Sequence, residues 1–228
     1  MIPNKNLFFV TSAIKSVNTR FYNHVQRFEQ TVETLKSIRS KVPDAIIILA
    51  DASVYHLTKE EMEILINSNC DYFMNMNQVQ LVHEFSTRDM KSHAENALSF
   101  NAFLAIKQEP FIKDVKRIFK VSGRSLLEDG FDINAYDNLF GKYVFKKRIP
   151  TWMNPPSKAT DLLITRMFSF CPSLLDNYLE VCQKNAESCN HMDLEHAHFL
   201  NIPKEHLVEF DKIHLSGWLA GNGTVESY

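Results

Sequence analysis

The stretch Arg117-Ile-Phe-Lys-Val-Ser-Gly-Arg-Ser-Leu-Leu-Glu-Asp-Gly-Phe-Asp132 holds the sharpest change of pattern in the chain. It begins with an apolar run typical of a buried strand and breaks at Ser122-Gly123, where a missing Cβ lets backbone or ligand come close. Charged residues cluster around the break: Lys120, Arg124, Glu128, Asp129 and Asp132. Because α/β proteins often bind ligands at the carboxyl edge of their sheet, the stretch predicts a ligand-binding site there. The alternative is a strand, a turn and a solvated acidic loop.

The composition indicates a globular protein with a large core. The chain has 228 residues, of which 45% are hydrophobic and 17 are phenylalanine, enough for one large domain. The formal net charge is −2, which provides no general attraction for nucleic acid or an anionic membrane. We therefore expect no nucleic-acid partner, and any anionic ligand must be held by local basic groups.

The cysteines and the N-terminus predict a cytoplasmic protein. Cys70, Cys171, Cys182 and Cys189 form no CxxC pair and have no metal-ligand spacing, so they are expected to be reduced and mostly buried. The sequence shows no signal-peptide hydrophobic region and no apolar run of membrane-spanning length. We expect no transmembrane segment.

The first half of the chain predicts a parallel α/β sheet. Leu7-Phe-Phe-Val10 and Ala45-Ile-Ile-Ile-Leu-Ala50 are buried strands, and residues 27–39 between them have the apolar spacing of an amphipathic helix. An apolar run as continuous as residues 45–50 implies that other parts of the protein cover both faces of the strand. The connection between the two strands should be right-handed. Thr58-Lys-Glu-Glu61 and Ser92-His-Ala-Glu95 each match the capping box that opens a helix.

The remaining elements are assigned from shorter patterns. Strands are predicted at Tyr72-Phe-Met-Asn75, Tyr143-Val-Phe145, Leu162-Leu-Ile-Thr165 and Ile213-His-Leu215. Helices are predicted from Leu174 to Cys182 and from Leu194 to Leu200.

Polar residues follow three of the predicted strands, at Thr11-Ser12, at Asp51 to Ser53 and at Ser122 to Arg124. If these strands are parallel, all three groups meet at one edge of the sheet. An aspartate there can accept hydrogen bonds from a base N–H or a ribose hydroxyl. Neither GxGxxG nor GxxxxGK[ST] occurs, which disfavours dinucleotide oxidoreductases and P-loop NTPases.

Several of these segments, in this order, resemble a known family. Phe9-Val-Thr-Ser12, residues 27–39 and Ile48-Leu-Ala-Asp-Ala-Ser53 resemble the start of small GT-A-type glycosyltransferases. Phe119-Lys-Val-Ser-Gly-Arg124 with Phe131-Asp132 resembles the central strand of a polysaccharide- and virus-associated subset. The resemblance implies one GT-A-like α/β domain over residues 1–228, with a mostly parallel central sheet flanked by helices.

The same resemblance implies a function and a division of the domain. Residues 1–135 would bind the nucleotide sugar, a UDP-, GDP- or dTDP-sugar, and residues 136–228 would receive the glycan or related acceptor. The donor-binding residues implied are the strand-end residues together with one histidine: Thr11, Ser12, Asp51, Ser53, Lys120, Ser122, Gly123, Arg124 and His196.

The sequence departs from the family at the metal position. Most GT-A enzymes carry Asp-x-Asp after the fourth strand and bind Mn²⁺ or Mg²⁺ there, whereas this chain has Ser122-Gly123-Arg124. A departing nucleoside diphosphate still needs its developing charge stabilised. We expect Lys120 and Arg124 to do so, and we leave open whether Mn²⁺ or Mg²⁺ binds through the donor phosphates. The alternative for Arg124 is a structural ion pair with Glu128 or Asp129.

The segment from His191 to His198 allows two interpretations. In the GT-A interpretation Glu195 is the catalytic base, Asp161 is the reserve, and His196 holds the carboxylate or contacts the phosphates. If the segment is helical throughout, His191, Glu195 and His198 share one face, which would suit a metal-dependent hydrolase. A helix capped by Asp193 would leave His191 outside it. A nucleotide-binding domain without catalysis is the other alternative.

Overall fold

The computed structural model describes residues 5–151, 159–219 and 223–228. The strands are β1 (Lys5–Ser12), β2 (Ile46–Asp51), β3 (Tyr72–Asn75), β4 (Val115–Ser122), β5 (Ser125–Leu127), β6 (Tyr143–Lys146), β7 (Ile149–Pro150), β8 (Asp161–Leu162), β9 (Met167–Phe170), β10 (Leu207–Phe210), β11 (Leu215–Trp218) and β12 (Val225–Ser227). The α-helices are α1 (His24–Lys41), α2 (Lys59–Asn67), α3 (Gln80–Thr87), α4 (Lys91–Ile106), α5 (Leu175–Ser188) and α6 (Leu194–Asn201).

The central sheet is mostly parallel, as the sequence predicts. Seven strands lie in the order β10-β6-β9-β4-β1-β2-β3. All neighbours are parallel except β9, which runs antiparallel to both β4 and β6. A smaller sheet of β12, β11 and β5 follows the end of β4, and β7 pairs with β8.

The strands at the centre of the sheet are apolar on both faces because helices cover both. Successive side chains of a strand point to opposite faces. Phe9 of β1 packs into the core beneath α4 with Phe103, whereas Phe8 packs into the core beneath α1 with Leu35. Phe8 also stacks on Phe119 of β4, with ring centroids 4.7 Å apart. The predicted double-sided burial is therefore confirmed.

The first half follows most of the predicted elements, but α3 was not predicted and one helix start is wrong. Thr58 caps α2 with both bonds of the capping box, and β3 has the predicted bounds. The second predicted capping box is wrong: α4 begins at Lys91, its N-cap Met90 makes no side-chain cap, and the hydroxyl of Ser92 instead accepts a hydrogen bond from the backbone N–H of Leu194 at 3.2 Å. A contact with a distant part of the chain replaces the local cap.

The second half differs more from the prediction. The strand expected over residues 162–165 shrinks to β8, which is only two residues long. Neither β9 nor β10 was predicted, and the expected last strand near residue 213 lies at β11 instead. Strands this short pair over few residues, so non-local packing decides where they begin.

Within the described ranges, no helix is both long enough and apolar enough to cross a membrane. All four cysteines are buried and free.

Candidate functional site

A cleft opens at the carboxyl edge of β1 and β4. The ends of both strands form its floor, α1 lies on one side, and the end of α3 and the start of α4 lie on the other. Five of the predicted site residues line it together: Thr11, Ser12, Ser122, Gly123 and Arg124. The parallel pairing of β1 with β4, which sets Thr11 opposite Ser122, brings these segments together.

Gly123 lets the turn after β4 lie directly against the end of β1. Its backbone N–H donates to the carbonyl of Thr11 at 2.7 Å. A Cβ added at this glycine would stand 3.0 Å from both that carbonyl oxygen and the Cβ of Ser12. Any larger residue would push the turn away from the strand, which accounts for the glycine at the predicted break.

Arg124 lines the cleft with an unsatisfied guanidinium nitrogen. Its Nη1 atom is buried and has no hydrogen-bond partner in the part of the chain that the structure describes. Burial, and then the positive charges of Arg166 and Arg27, lower the pKa of Arg124 to about 10. The group is therefore charged at neutral pH, and its buried Nη1 lacks the partner that a buried donor requires. An anion entering the cleft would supply one.

The alternative ion pair proposed for Arg124 is not formed. Asp129, one of the two carboxylates considered, pairs with Lys41 at 2.6 Å. Among the residues that are described, Arg124 has no salt bridge.

Arg27 is a cleft residue that the sequence analysis missed, because it was assigned only to an amphipathic helix. Its guanidinium donates to the carbonyls of Ala13 at 3.2 Å, Asn18 at 2.8 Å and Tyr22 at 3.2 Å. These bonds hold the segment after β1 in place around the cleft. An arginine near the start of a helix that follows a strand was the only available signal.

Asp51 and Ser53 lie beside the cleft rather than in its lining. Asp51 is 2% exposed, and its carboxylate accepts hydrogen bonds from the hydroxyl of Ser12 and from the backbone N–H groups of Ile14 and Ser53. The hydroxyl of Ser53 accepts one from the backbone N–H of Lys15. Both residues border a second cavity at the ends of β2 and β3. They hold the cleft-forming segment after β1 in shape.

Lys120 is also placed beneath the cleft and not in it. Its side chain is 2% exposed, and its ammonium contacts a carboxylate oxygen of Glu95 and the carbonyl oxygen of Thr165. Glu95, on α4, does line the cleft. Glu95 was also part of the predicted capping box that does not form. The ammonium of Lys120, which was expected to contact phosphate, forms an ion pair with an acid that faces the cleft.

The remaining predicted residues lie outside the cleft lining. The carboxylate of Glu195 accepts a hydrogen bond from the hydroxyl of Thr165 at 2.7 Å. Both ring nitrogens of buried His196 are engaged, by Asp193 at 2.5 Å and Thr151 at 2.8 Å. Asp161 lies on β8 and accepts a hydrogen bond from the hydroxyl of the preceding threonine.

The histidine-rich segment does not form the metal site of the hydrolase alternative. Asp193 caps α6, as expected, and leaves His191 before the helix. His198 is buried, and its ring bonds to the carbonyl of Leu194. Over the described ranges, no three His, Cys, Asp or Glu side chains gather as metal ligands.

The cleft likewise does not fit the ligand set that GT-A enzymes usually provide for a divalent ion. The position after β4 offers a hydroxyl, a glycine and a guanidinium, and none of these is a carboxylate. Glu95, a carboxylate in the lining, is already paired with Lys120. Asp89, another one, accepts a hydrogen bond from the side chain of Asn18.

The fold matches solved glycosyltransferases, whereas the sequence comparisons find no match. No family model matches the chain, and neither does any curated protein sequence. The mannosyltransferase Ktr4p from S. cerevisiae aligns with a TM-score of 0.56 at 7% identity, covering 92% of this chain and 70% of its own. The galactosyltransferase LgtC, in complex with donor and acceptor sugar analogues, aligns with a TM-score of 0.54 at 11% identity, over 90% and 72% of the two chains.

A third structure agrees with these two. Core-mannan synthase A from Aspergillus fumigatus, in a Mn/GDP form, aligns with a TM-score of 0.51 at 10% identity, covering 93% of this chain and 74% of its own. At such low identity the likeness concerns the fold alone. The chain has a GT-A-like glycosyltransferase fold, as the resemblance in the sequence implied.

Proposed function

We propose that this chain is a glycosyltransferase that moves a sugar from a nucleotide-sugar donor to a glycan or related acceptor. The observation that carries the proposal is the unpaired, buried Nη1 of Arg124 at the carboxyl edge of β1 and β4. A protein leaves a buried cation unsatisfied only at a cost, so the position is suited to an anionic ligand. The diphosphate of a nucleotide sugar is such an anion.

The positive charge of Arg124 suits the chemistry of sugar transfer. When the bond between the sugar and the diphosphate breaks, negative charge develops on the departing nucleoside diphosphate. A guanidinium can donate two parallel hydrogen bonds to phosphate oxygens and stays charged when buried. Arg166 and Arg27, whose positive charges act on Arg124, add to the same local potential. This cluster supplies positive charge where other GT-A enzymes use a metal ion.

The nucleoside would lie against the segment that follows β1. Thr11 and Ser12 offer hydroxyls to the cleft, and Asp51 holds the hydroxyl of Ser12 in place. Asp51 and Ser53 also border a second cavity at the ends of β2 and β3, which a base could occupy. The groups that line the cleft and this second cavity would select among UDP-, GDP- and dTDP-sugars. The acceptor, of the kind used in polysaccharide biosynthesis, would approach from residues 136–228.

Release of nucleoside diphosphate tests the proposal. Purified protein is incubated with a panel of UDP-, GDP- and dTDP-sugars, with and without short glycans as acceptors. We expect one nucleotide series to be turned over, slowly with water and faster with a suitable glycan. A protein that binds a nucleoside diphosphate but turns over no donor would be a nucleotide-binding domain without catalysis. A protein that binds none of the nucleotides would contradict the proposal.

A further inference from the structure

Glu95 places a carboxylate in the same cleft as Arg124. It lies on α4, more than a full turn after the helix begins at Lys91, and its side chain is 35% exposed. Its negative charge acts on the guanidinium of Arg124. The cleft thus holds an unpaired cation and an acid that faces the same space. Glu195, the acid expected from the sequence, is absent from the lining that the described residues form.

A buried lysine holds the carboxylate of Glu95 from beneath. Lys120 projects from β4, in the middle of the sheet, and its ammonium contacts Oε1 of Glu95. The same ammonium donates to the carbonyl oxygen of Thr165 at 2.9 Å, and the hydroxyl of Thr165 donates to Glu195 at 2.7 Å. These contacts link two carboxyl groups through one lysine and one threonine. They fix the orientation of the acid that the cleft exposes.

The two carboxyl groups have opposite tendencies to ionise. Burial disfavours the charged form of Glu95, but the charge and hydrogen bond of Lys120 outweigh it, so the pKa of Glu95 lies below its ordinary value. Burial and the negative charge of Glu95 raise the pKa of Glu195. His198 and Arg166 also act on Glu95, and both favour its ionised form. Adjacent acids whose environments separate them in this way commonly have different roles in a mechanism.

We propose that Glu95 is the catalytic base of this enzyme and that Lys120 and Glu195 position it. The inference rests on the proposed glycosyl transfer. The acceptor hydroxyl gives its proton to the carboxylate of Glu95, and the acceptor oxygen forms a bond to the anomeric carbon of the donor sugar. The bond between that carbon and the diphosphate oxygen breaks, and its electron pair leaves with the nucleoside diphosphate, next to Arg124.

The experiment must distinguish a catalytic role of Glu95 from a purely structural one. Glu95→Gln leaves Lys120 buried without a counter-ion, which destabilises a protein strongly. Replacing both members of a buried ion pair by neutral groups is often close to neutral for stability. The double variant Glu95→Gln with Lys120→Met therefore removes the base while it avoids an unpaired buried charge. If Glu95 only balances Lys120, this double variant recovers both stability and activity.

The experiment measures thermal unfolding, nucleoside diphosphate affinity by calorimetry, and the transfer rate with the donor and acceptor selected by the panel. We expect Glu95→Gln and the double variant to lose about 100-fold or more in turnover, with no loss of diphosphate affinity. The double variant should unfold at a higher temperature than Glu95→Gln. Glu195→Gln should lose less turnover than Glu95→Gln, because its carboxyl does not face the cleft.

Glu63→Gln is the matched control, since Glu63 on α2 also pairs with a lysine, Lys59 at 3.7 Å, but is well exposed and outside the cleft. It should retain full turnover. Recovery of turnover in the double variant, or a larger loss in Glu195→Gln than in Glu95→Gln, would overturn the assignment of Glu95. Failure of the wild-type protein to turn over any donor would instead overturn the glycosyltransferase function, and the inference with it.

Discussion

The charged side chains at the ends of β2 and β4 differ in whether their buried hydrogen-bonding atoms have partners. At the end of β2, the carboxylate of Asp51 accepts three hydrogen bonds from the neighbouring backbone and from Ser12. Just after β4, Arg124 keeps one buried guanidinium nitrogen without a partner among the described residues. Asp51 ends one apolar strand and Arg124 follows another in the same sheet, and the sequence predicts a donor-binding role for both.

The difference between the two strand ends separates a supporting group from a binding group. A buried charge whose hydrogen bonds are complete stabilises the fold, and it gains little from a ligand. A buried charge with an empty position gains a hydrogen bond when a ligand of opposite charge arrives. Asp51 therefore shapes the loop that forms the cleft, and Arg124 is the residue we expect to touch the donor.

The largest effect that follows from this comparison is on stability. Asp51→Ala removes the acceptor from three donors, each of which costs about 1–3 kcal/mol when left buried and unsatisfied. We expect the free energy of unfolding to fall by about 3 kcal/mol. Denaturant unfolding measures it. Asp44→Ala, at an exposed aspartate in the turn before β2, is the control and should change little. An unchanged free energy of unfolding in Asp51→Ala would contradict the supporting role assigned to Asp51.

The next effect is on ligand affinity. Arg124→Met keeps most of the side-chain volume and removes the charge, so nucleoside diphosphate should bind about 2 kcal/mol more weakly, the usual size of a hydrogen bond to a charged group. The variant should fold at least as stably as the wild-type protein, because it removes a buried unsatisfied donor. Arg88→Met is the control, at an exposed arginine paired with Glu84. Equal affinity in Arg124→Met and the wild-type protein, measured by calorimetry, would remove Arg124 from the site.

The smallest effect expected is that of removing divalent ions. The cleft offers no cluster of carboxylates in the residues the structure describes, and Arg124 with its neighbouring arginines can stabilise the leaving diphosphate. Turnover in EDTA should therefore stay within about two-fold of turnover with Mn²⁺. The measurement is the rate of nucleoside diphosphate release under both conditions. Complete loss in EDTA, restored by Mn²⁺, would mean that a carboxylate ligand has been overlooked.

The sequence was sufficient to predict the first half of the fold because its strands are long apolar runs. Both faces of β1 and β2 are buried, so local composition and tertiary structure agree. The strand β9 could not be found in this way. It is short, and its place between β4 and β6 depends on antiparallel pairing with residues far away in the chain.

The site was predictable at the level of strand ends and not at the level of contacts. The parallel arrangement of β1 and β4 made it predictable that Ser12 and Arg124 lie at the same edge of the sheet, where both line the cleft. No local pattern shows that the ammonium of Lys120 turns toward Glu95, because that contact joins β4 to a helix that covers the sheet. The capping-box pattern predicted for Glu95 a local structural role at the start of a helix, and not a place in the cleft. Hydrogen-bond saturation, which separates Asp51 from Arg124, is visible only in the structure.

A crystal structure with a nucleoside diphosphate bound tests the central claim most directly, because it shows which side chain the diphosphate touches. We expect a phosphate oxygen within hydrogen-bonding distance of Nη1 of Arg124, the nucleoside against Thr11 and Ser12, and the carboxylate of Asp51 still bonded to the hydroxyl of Ser12. A diphosphate held elsewhere, for example by the basic run Lys146-Lys-Arg148, with Arg124 still unpaired, would contradict the account.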